Sequence, residues 1–147
     1  MATTDRQMRI QDTTPSEWSA STNDAMAVAR IRRMLRDGLV RHATPESDIH
    51  GAEVILGELL ANVVRHAPGQ VSVQLDWGRV RPTLLVLDDG DGFTTTPQTT
   101  LSDVEAERGR GLALVRALGV ETVVGNRSQG GAYVRVVLPV VRRLSAE

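Results

Sequence analysis

The sequence predicts a two-layer α/β sandwich, a mixed and mostly antiparallel sheet with helices on one face. Three observations carry this. Two long stretches in the first half repeat apolar residues at helical spacing, four later stretches have strand length and strand-like patterning, and one short helical stretch divides those strands into two pairs. The order is strand, helix, helix, strand, strand, loop, helix, strand, strand. A chain of 147 residues has the length of one domain. The expected organisation is one domain over 1–147, its core about 22–141, with short polar tails.

Residues 7 to 13, QMRIQDT, read as a short edge strand, and TPSEWSASTND after them as a polar connection. From Asn23, the expected N-cap, DAMAVARIRRMLRDGLVRH brings Ala25, Val28, Ile31, Met34, Leu35 and Leu39 near helical spacing with Arg on the other face. This is one amphipathic helix ending near His42. In the loop ATPESD, Thr44 and Pro45 form a cap and first-turn pair for a second helix, which runs to about His66 and is closed by Pro68 and Gly69. QVSVQLDWG then alternates Val71, Val73, Leu75 and Trp77 with polar neighbours, and RPTLLVLDDG follows after a tight connection from Arg79 to Pro82. These are two antiparallel strands, the second more buried. Residues 93 to 108 are polar, Thr-rich and aperiodic, and read as a loop. GLALVRAL makes a short helix, and VETVVGN and GAYVRVVLPVV make two closing strands around the turn RSQGG.

Composition excludes several chemistries. A hydrophobic content of 41%, a charged content of 24% and a net charge of -1 describe a globular chain with no global pull toward nucleic acid or anionic lipid. All 17 strongly basic residues are Arg, so a Gly-Lys-Ser/Thr phosphate loop and a Schiff-base lysine are both ruled out. The absence of Cys removes disulfides, thiolate catalysis and sulfur metal sites. The N-terminal stretch has no apolar signal region, and no run approaches the ~20 apolar residues that span a bilayer. A cytoplasmic protein, without membrane or direct nucleic-acid partners, is expected.

Three segments carry candidate chemistry. Glu58, Asn62 and His66 recur every four residues, which stacks them along one edge of the second helix. Asp88-Asp89-Gly90-Asp91-Gly92 follows a buried strand, and Gly109-Arg110-Gly111-Leu112 opens the short helix. Taken singly, each has a plain structural reading: a solvated helix edge, a turn, a connection. A calcium loop starting at Asp89 fails because Phe93 stands where an acidic ligand is needed. His42, His50 and His66 lack ligand-rich spacing. Trp18 and Trp77 read as packing residues, and the Arg-rich face of the first helix as solvated or as a partner surface.

In this order the segments resemble the nucleotide-binding domain shared by gyrase, the ATP-dependent heat-shock chaperones, histidine kinases and MutL, the GHKL or Bergerat ATPases. ELLANVVRHA looks like the family's N box, DDGDG like its adenine box, GRGL like its box beneath the lid, and GGAYVRVVLP like its closing strand. The resemblance implies the Bergerat, histidine-kinase-like fold and a site for ATP with Mg²⁺. Asn62 would then offer its carbonyl to Mg²⁺, and Glu58 would act as the general base. Arg65 and His66 would lie near the nucleotide. Asp88 would accept the adenine amino hydrogen, with Gly90 and Gly92 letting the backbone approach. Gly109, Gly111 and Leu112 would bring amide groups to the phosphates, and Arg108 and Arg110 would meet the γ-phosphate. One departure stands out: the closing strand often has Thr after its Gly pair, and here the residue is Ala132.

Among family members, the chain looks like the stand-alone anti-sigma-factor serine/threonine kinases. These 147 residues contain neither the phospho-accepting helix of sensor kinases nor the extra domains of gyrase, the chaperones or MutL. That likeness implies phosphorylation of a STAS anti-anti-sigma partner, regulation of a sigma factor by partner switching, and a possible homodimer, with the first helix a candidate contact surface for dimer or sigma factor. Two alternatives stay open: a non-catalytic nucleotide-sensing binding module, and a histidine-kinase-type ATPase domain acting in trans.

Overall fold

The structure, a computed structural model, describes residues 15–93 and 110–144. Strand periodicity dictates its sheet. In β2 (Gln70–Asp76) and β3 (Thr83–Asp88), Val71, Val73, Leu75, Leu84 and Val86 are buried and alternate with more exposed neighbours, so each strand gives one face to the core. β1 (Ser16–Ser21), β4 (Glu121–Asn126) and β5 (Ala132–Val137) complete the order β1-β2-β3-β5-β4, which puts β3 at the centre. The expected mixed, mostly antiparallel sheet is antiparallel at every described pairing.

Among the described residues three helices cover the inner face: α1 (Ala25–His42), α2 (Ile49–His66) and α3 (Arg110–Leu118). α1 turns Ile31, Leu35 and Leu39 inward at a spacing of one turn. α2 packs against both other helices and so buries a wider stripe, including Ile55, Leu56, Leu59, Leu60 and Val63. These residues join the inward side chains of the sheet in one core. Trp77 is buried and meets His42 edge to face, with ring centroids 5.6 Å apart, which confirms its packing role. Among the described residues no helix is long and apolar enough to cross a membrane.

Local signals fall differently from the sequence reading at β1 and at two helix caps. The strand expected at residues 7 to 13 lies outside the described residues. β1 instead occupies SEWSAS, expected as a polar connection; Trp18 and Ala20 pair with Val73 and Val71, while Glu17 and Ser19 sit on the outer face. With only two apolar residues and serines around them, the alternation is easy to miss. α1 is capped by Asp24, whose carboxylate accepts from the Ala27 N–H at 3.0 Å, one residue past Asn23. α2 is capped by Asp48, Oδ1 accepting from the Gly51 N–H at 2.8 Å, and not by Thr44. Thr44 is engaged elsewhere: its N–H donates to the Val141 carbonyl at 2.9 Å and its hydroxyl bonds Ser47 at 2.9 Å.

The C-terminal segment therefore defines the loop before α2. β5 stops at Val137, short of the expected run to 141, and Ala43 bridges to Arg142. Pro139 interrupts the strand because it has no N–H for a ladder. Asp48→Ala is expected to destabilise the domain by about 1 kcal/mol, the usual value of an N-cap. The check is a lower urea midpoint at unchanged slope.

Candidate nucleotide site

The site is built where the central strand ends. Asp88, the last residue of β3, is the buried charged side chain among the described residues, with 7% of its surface exposed. Its Oδ1 accepts from the Gly90 N–H at 3.0 Å and from the Ala132 N–H at 3.1 Å. Two donors on one oxygen fix the carboxylate plane and leave Oδ2 to accept from a ligand. The Asp88 carbonyl accepts from Arg127 Nη1 at 2.7 Å.

Close packing around Asp88 depends on glycine. Gly131 has φ +90, and a Cβ there would lie 2.0 Å from the Asp88 carbonyl oxygen. Only a residue without Cβ brings the β4–β5 turn this near to β3. Gly92, with φ +81, turns the chain so closely under Asn126 that a Cβ would fall 2.6 Å from its Oδ1. Asp89 faces the other way, its Oδ1 accepting from the Gln70 N–H at 3.0 Å, so it secures the start of β2.

Asp88 opens on a cavity walled by Leu59, Asn62 and Val63 of α2, Val86 of β3, Val134 of β5 and Phe93. Its volume is about 10 Å³, the space of one water. Apolar walls with one acceptor at the end suit a flat heteroaromatic ring bearing an amine. One turn earlier on α2, Glu58 reaches α3: a Cβ on Gly111 would lie 2.7 Å from Glu58 Oε2. The edge of α2 thus links the cavity, through Asn62, to the N-terminal turn of α3, through Glu58.

Other expected residues stand outside the cavity wall or outside the described residues. Arg65 and His66 are exposed in the last turn of α2 and do not wall the cavity. Leu112 is fully buried, so it packs α3 onto the core. Arg108 and Gly109 lie outside the described residues; Arg110 opens α3, and its side chain lies outside the description. Sequence reasoning passed over Phe93 as a cavity wall and over Asn126 and Arg127. The available signal was a polar pair at the end of a strand, directly before the turn whose Gly131 packs on Asp88.

Residues 21–138 match the family model of the histidine kinase-like ATPase domain. The chain belongs to this ATPase family. No curated protein matches it. The matched span takes in the three described helices and β2 to β5, and the sheet and helix order agree with that fold. As a GHKL-type ATPase domain it is an ATP-binding domain, and its donor set fits the nucleotide. Asp88 has one oxygen fixed by main-chain donors and keeps Oδ2 outside those bonds, where an amine could be received. The main-chain N–H of Ala132 does the orienting, so this ATPase domain holds its carboxylate without a hydroxyl at that position.

Proposed function

We propose that this ATPase domain is a serine/threonine protein kinase of the anti-sigma-factor type. It uses Mg-ATP to phosphorylate a STAS anti-anti-sigma partner and so regulates a sigma factor by partner switching. The observation that carries this reading is the place of Glu58, a carboxylate one turn from the cavity and against the first turn of α3. A helix N-terminus favours phosphate oxygens, so Glu58 stands where a hydroxyl approaching the γ-phosphate would need a base. Glu58 takes the proton as the hydroxyl oxygen bonds to phosphorus and the bond to ADP breaks. Asn62 would offer one neutral oxygen to Mg²⁺. When bound, the ion supplies charge neutralisation at the transferring group.

The outer face of α1 supports a partner role. Met26, Met34 and Val40 are exposed beside Arg30, Arg33 and Arg41, a mixture suited to a sigma factor, the STAS protein or a second copy. A single domain over 1–147, a homodimer and a cytoplasmic location belong to the same reading. The second reading is a nucleotide-sensing binding module without phosphotransfer.

Incubation with Mg-ATP and a STAS domain separates the possibilities. Acid-stable phosphoserine or phosphothreonine on the partner is expected. An unchanged partner mass within a tight complex would instead establish the binding module, and acid-labile phosphate a histidine kinase acting in trans. Glu58→Gln should lower phosphotransfer by about 10²–10⁴-fold with ATP affinity retained. Asn62→Ala should lose Mg-ATP binding in calorimetry.

A further inference from the structure

Asp88 does not make the hydrogen bonds that a regular sheet would give it. β3 and β5 pair from Thr83–Val137 to Leu87–Tyr133, and the ladder stops there. The next pair in that register is Asp88–Ala132. Antiparallel pairs alternate between those that exchange main-chain bonds and those that do not. The Leu138 N–H donates to the Pro82 carbonyl at 3.0 Å, so the bonded positions that follow Pro82 are Leu84, Val86 and Asp88. A regular ladder would therefore send the Ala132 N–H to the Asp88 carbonyl. It goes to the side chain instead, to Oδ1 at 3.1 Å. The carbonyl accepts from Arg127 Nη1 at 2.7 Å.

A main-chain carbonyl shut away from water needs a donor, and Arg127 supplies one from outside the ladder. Its own main chain is pinned in the β4–β5 turn, where its N–H donates to the Gly131 carbonyl at 2.9 Å and its carbonyl accepts from the Gly130 N–H at 3.1 Å. From this turn the half-buried side chain reaches back to the end of β3. We propose that Arg127 is a positioning residue for base recognition: by holding the Asp88 carbonyl it releases the Ala132 N–H to the carboxylate. This rests on the nucleotide reading of the cavity. Without the guanidinium, the Ala132 N–H returns to the carbonyl, and Oδ1 keeps only the bond from Gly90. A carboxylate held by one donor turns about its χ2, a soft torsion, and Oδ2 loses its fixed direction. Arg127 thus acts on the amine of the base through Asp88, and what it must contribute is a donor.

NMR scalar couplings across hydrogen bonds read the exchange directly on the isotope-labelled chain, without nucleotide. The Ala132 nitrogen should couple to the Asp88 carboxylate carbon in the wild type, and to the Asp88 main-chain carbonyl carbon in Arg127→Met. In calorimetry with Mg²⁺, Arg127→Met should bind ATP about tenfold more weakly, the value of one hydrogen bond. It should bind the triphosphate of purine riboside, which lacks the amine, as the wild type does. General loosening of the site would weaken both ligands alike. Arg127→Lys keeps a donor and should recover most of the ATP affinity. Coupling of Ala132 to the main-chain carbonyl already in the wild type, or an unchanged ratio of the two affinities in Arg127→Met, would overturn the proposal. Wild-type protein that binds neither triphosphate would instead overturn the nucleotide reading on which the proposal rests, while the couplings would still locate the Ala132 bond. Should Arg127→Met fail to fold, the wild-type coupling and the affinity ratio in Arg127→Gln, with its shorter side chain, decide the question.

Discussion

Asp88→Asn is expected to leave the domain folded while ATP affinity falls by about a hundredfold, the value of one hydrogen bond to a charged group. The separation follows from which oxygen does what. The amide oxygen of Asn can keep the two bonds from Gly90 and Ala132 that Oδ1 receives. The other position becomes an NH₂ group, which meets the amine of adenine donor to donor. Asp88→Ala removes both functions. It leaves two main-chain donors without a partner, at about 1–3 kcal/mol for each one kept from water, so it should lower the melting temperature as well as abolish binding. Calorimetry and thermal unfolding on the two variants give the comparison. Wild-type affinity in Asp88→Asn would remove Asp88 from base recognition.

Gly131→Ala is expected to be among the most damaging single-methyl changes in the chain, at about 2–6 kcal/mol. Two costs combine. The residue has φ +90, a backbone region costing an L-residue about 1–3 kcal/mol. Its Cβ would also overlap the Asp88 carbonyl, and relief by backbone shift costs another ~1–3 kcal/mol. Gly130→Ala is the internal control. Its φ is +98, but a Cβ there meets nothing within 4 Å, so it should show the backbone cost alone. Urea unfolding of the pair measures the difference. Equal losses would mean that close approach to Asp88 contributes nothing to stability.

The fold was legible wherever periodicity was strong. α2, β2 and β3 announce themselves because each has one continuous buried face, and Pro68 with Gly69 marks the end of α2. β1 was obscured because an edge strand needs few apolar residues; Trp18 and Ala20 suffice against β2. The caps at Asp24 and Asp48 were displaced from Asn23 and Thr44 because several residues in each stretch have capping side chains. For Thr44, tertiary bonds to Val141 decide the outcome.

The candidate site shows the same division. Glu58, Asn62 and Asp88 were readable because their spacing and residue types carry the chemistry. Ala132 pointed the wrong way: its side chain suggests a lost contact, while its main-chain N–H makes the bond. Asn126 and Arg127 were silent, since partners that are main-chain atoms of another segment leave no pattern in the sequence.

The position of the strands divides the pocket into a part that persists and a part that frays. Asp88 hangs from β3, flanked on both sides, whereas Asn126 ends β4, the outermost strand. Edge strands open locally at a free energy well below that of global unfolding. Asn126 bonds both main-chain groups of Phe93, so fraying the end of β4 would loosen one wall of the cavity while the carboxylate kept its place in the sheet. That wall can then yield at the energy of a local opening, without loosening the core.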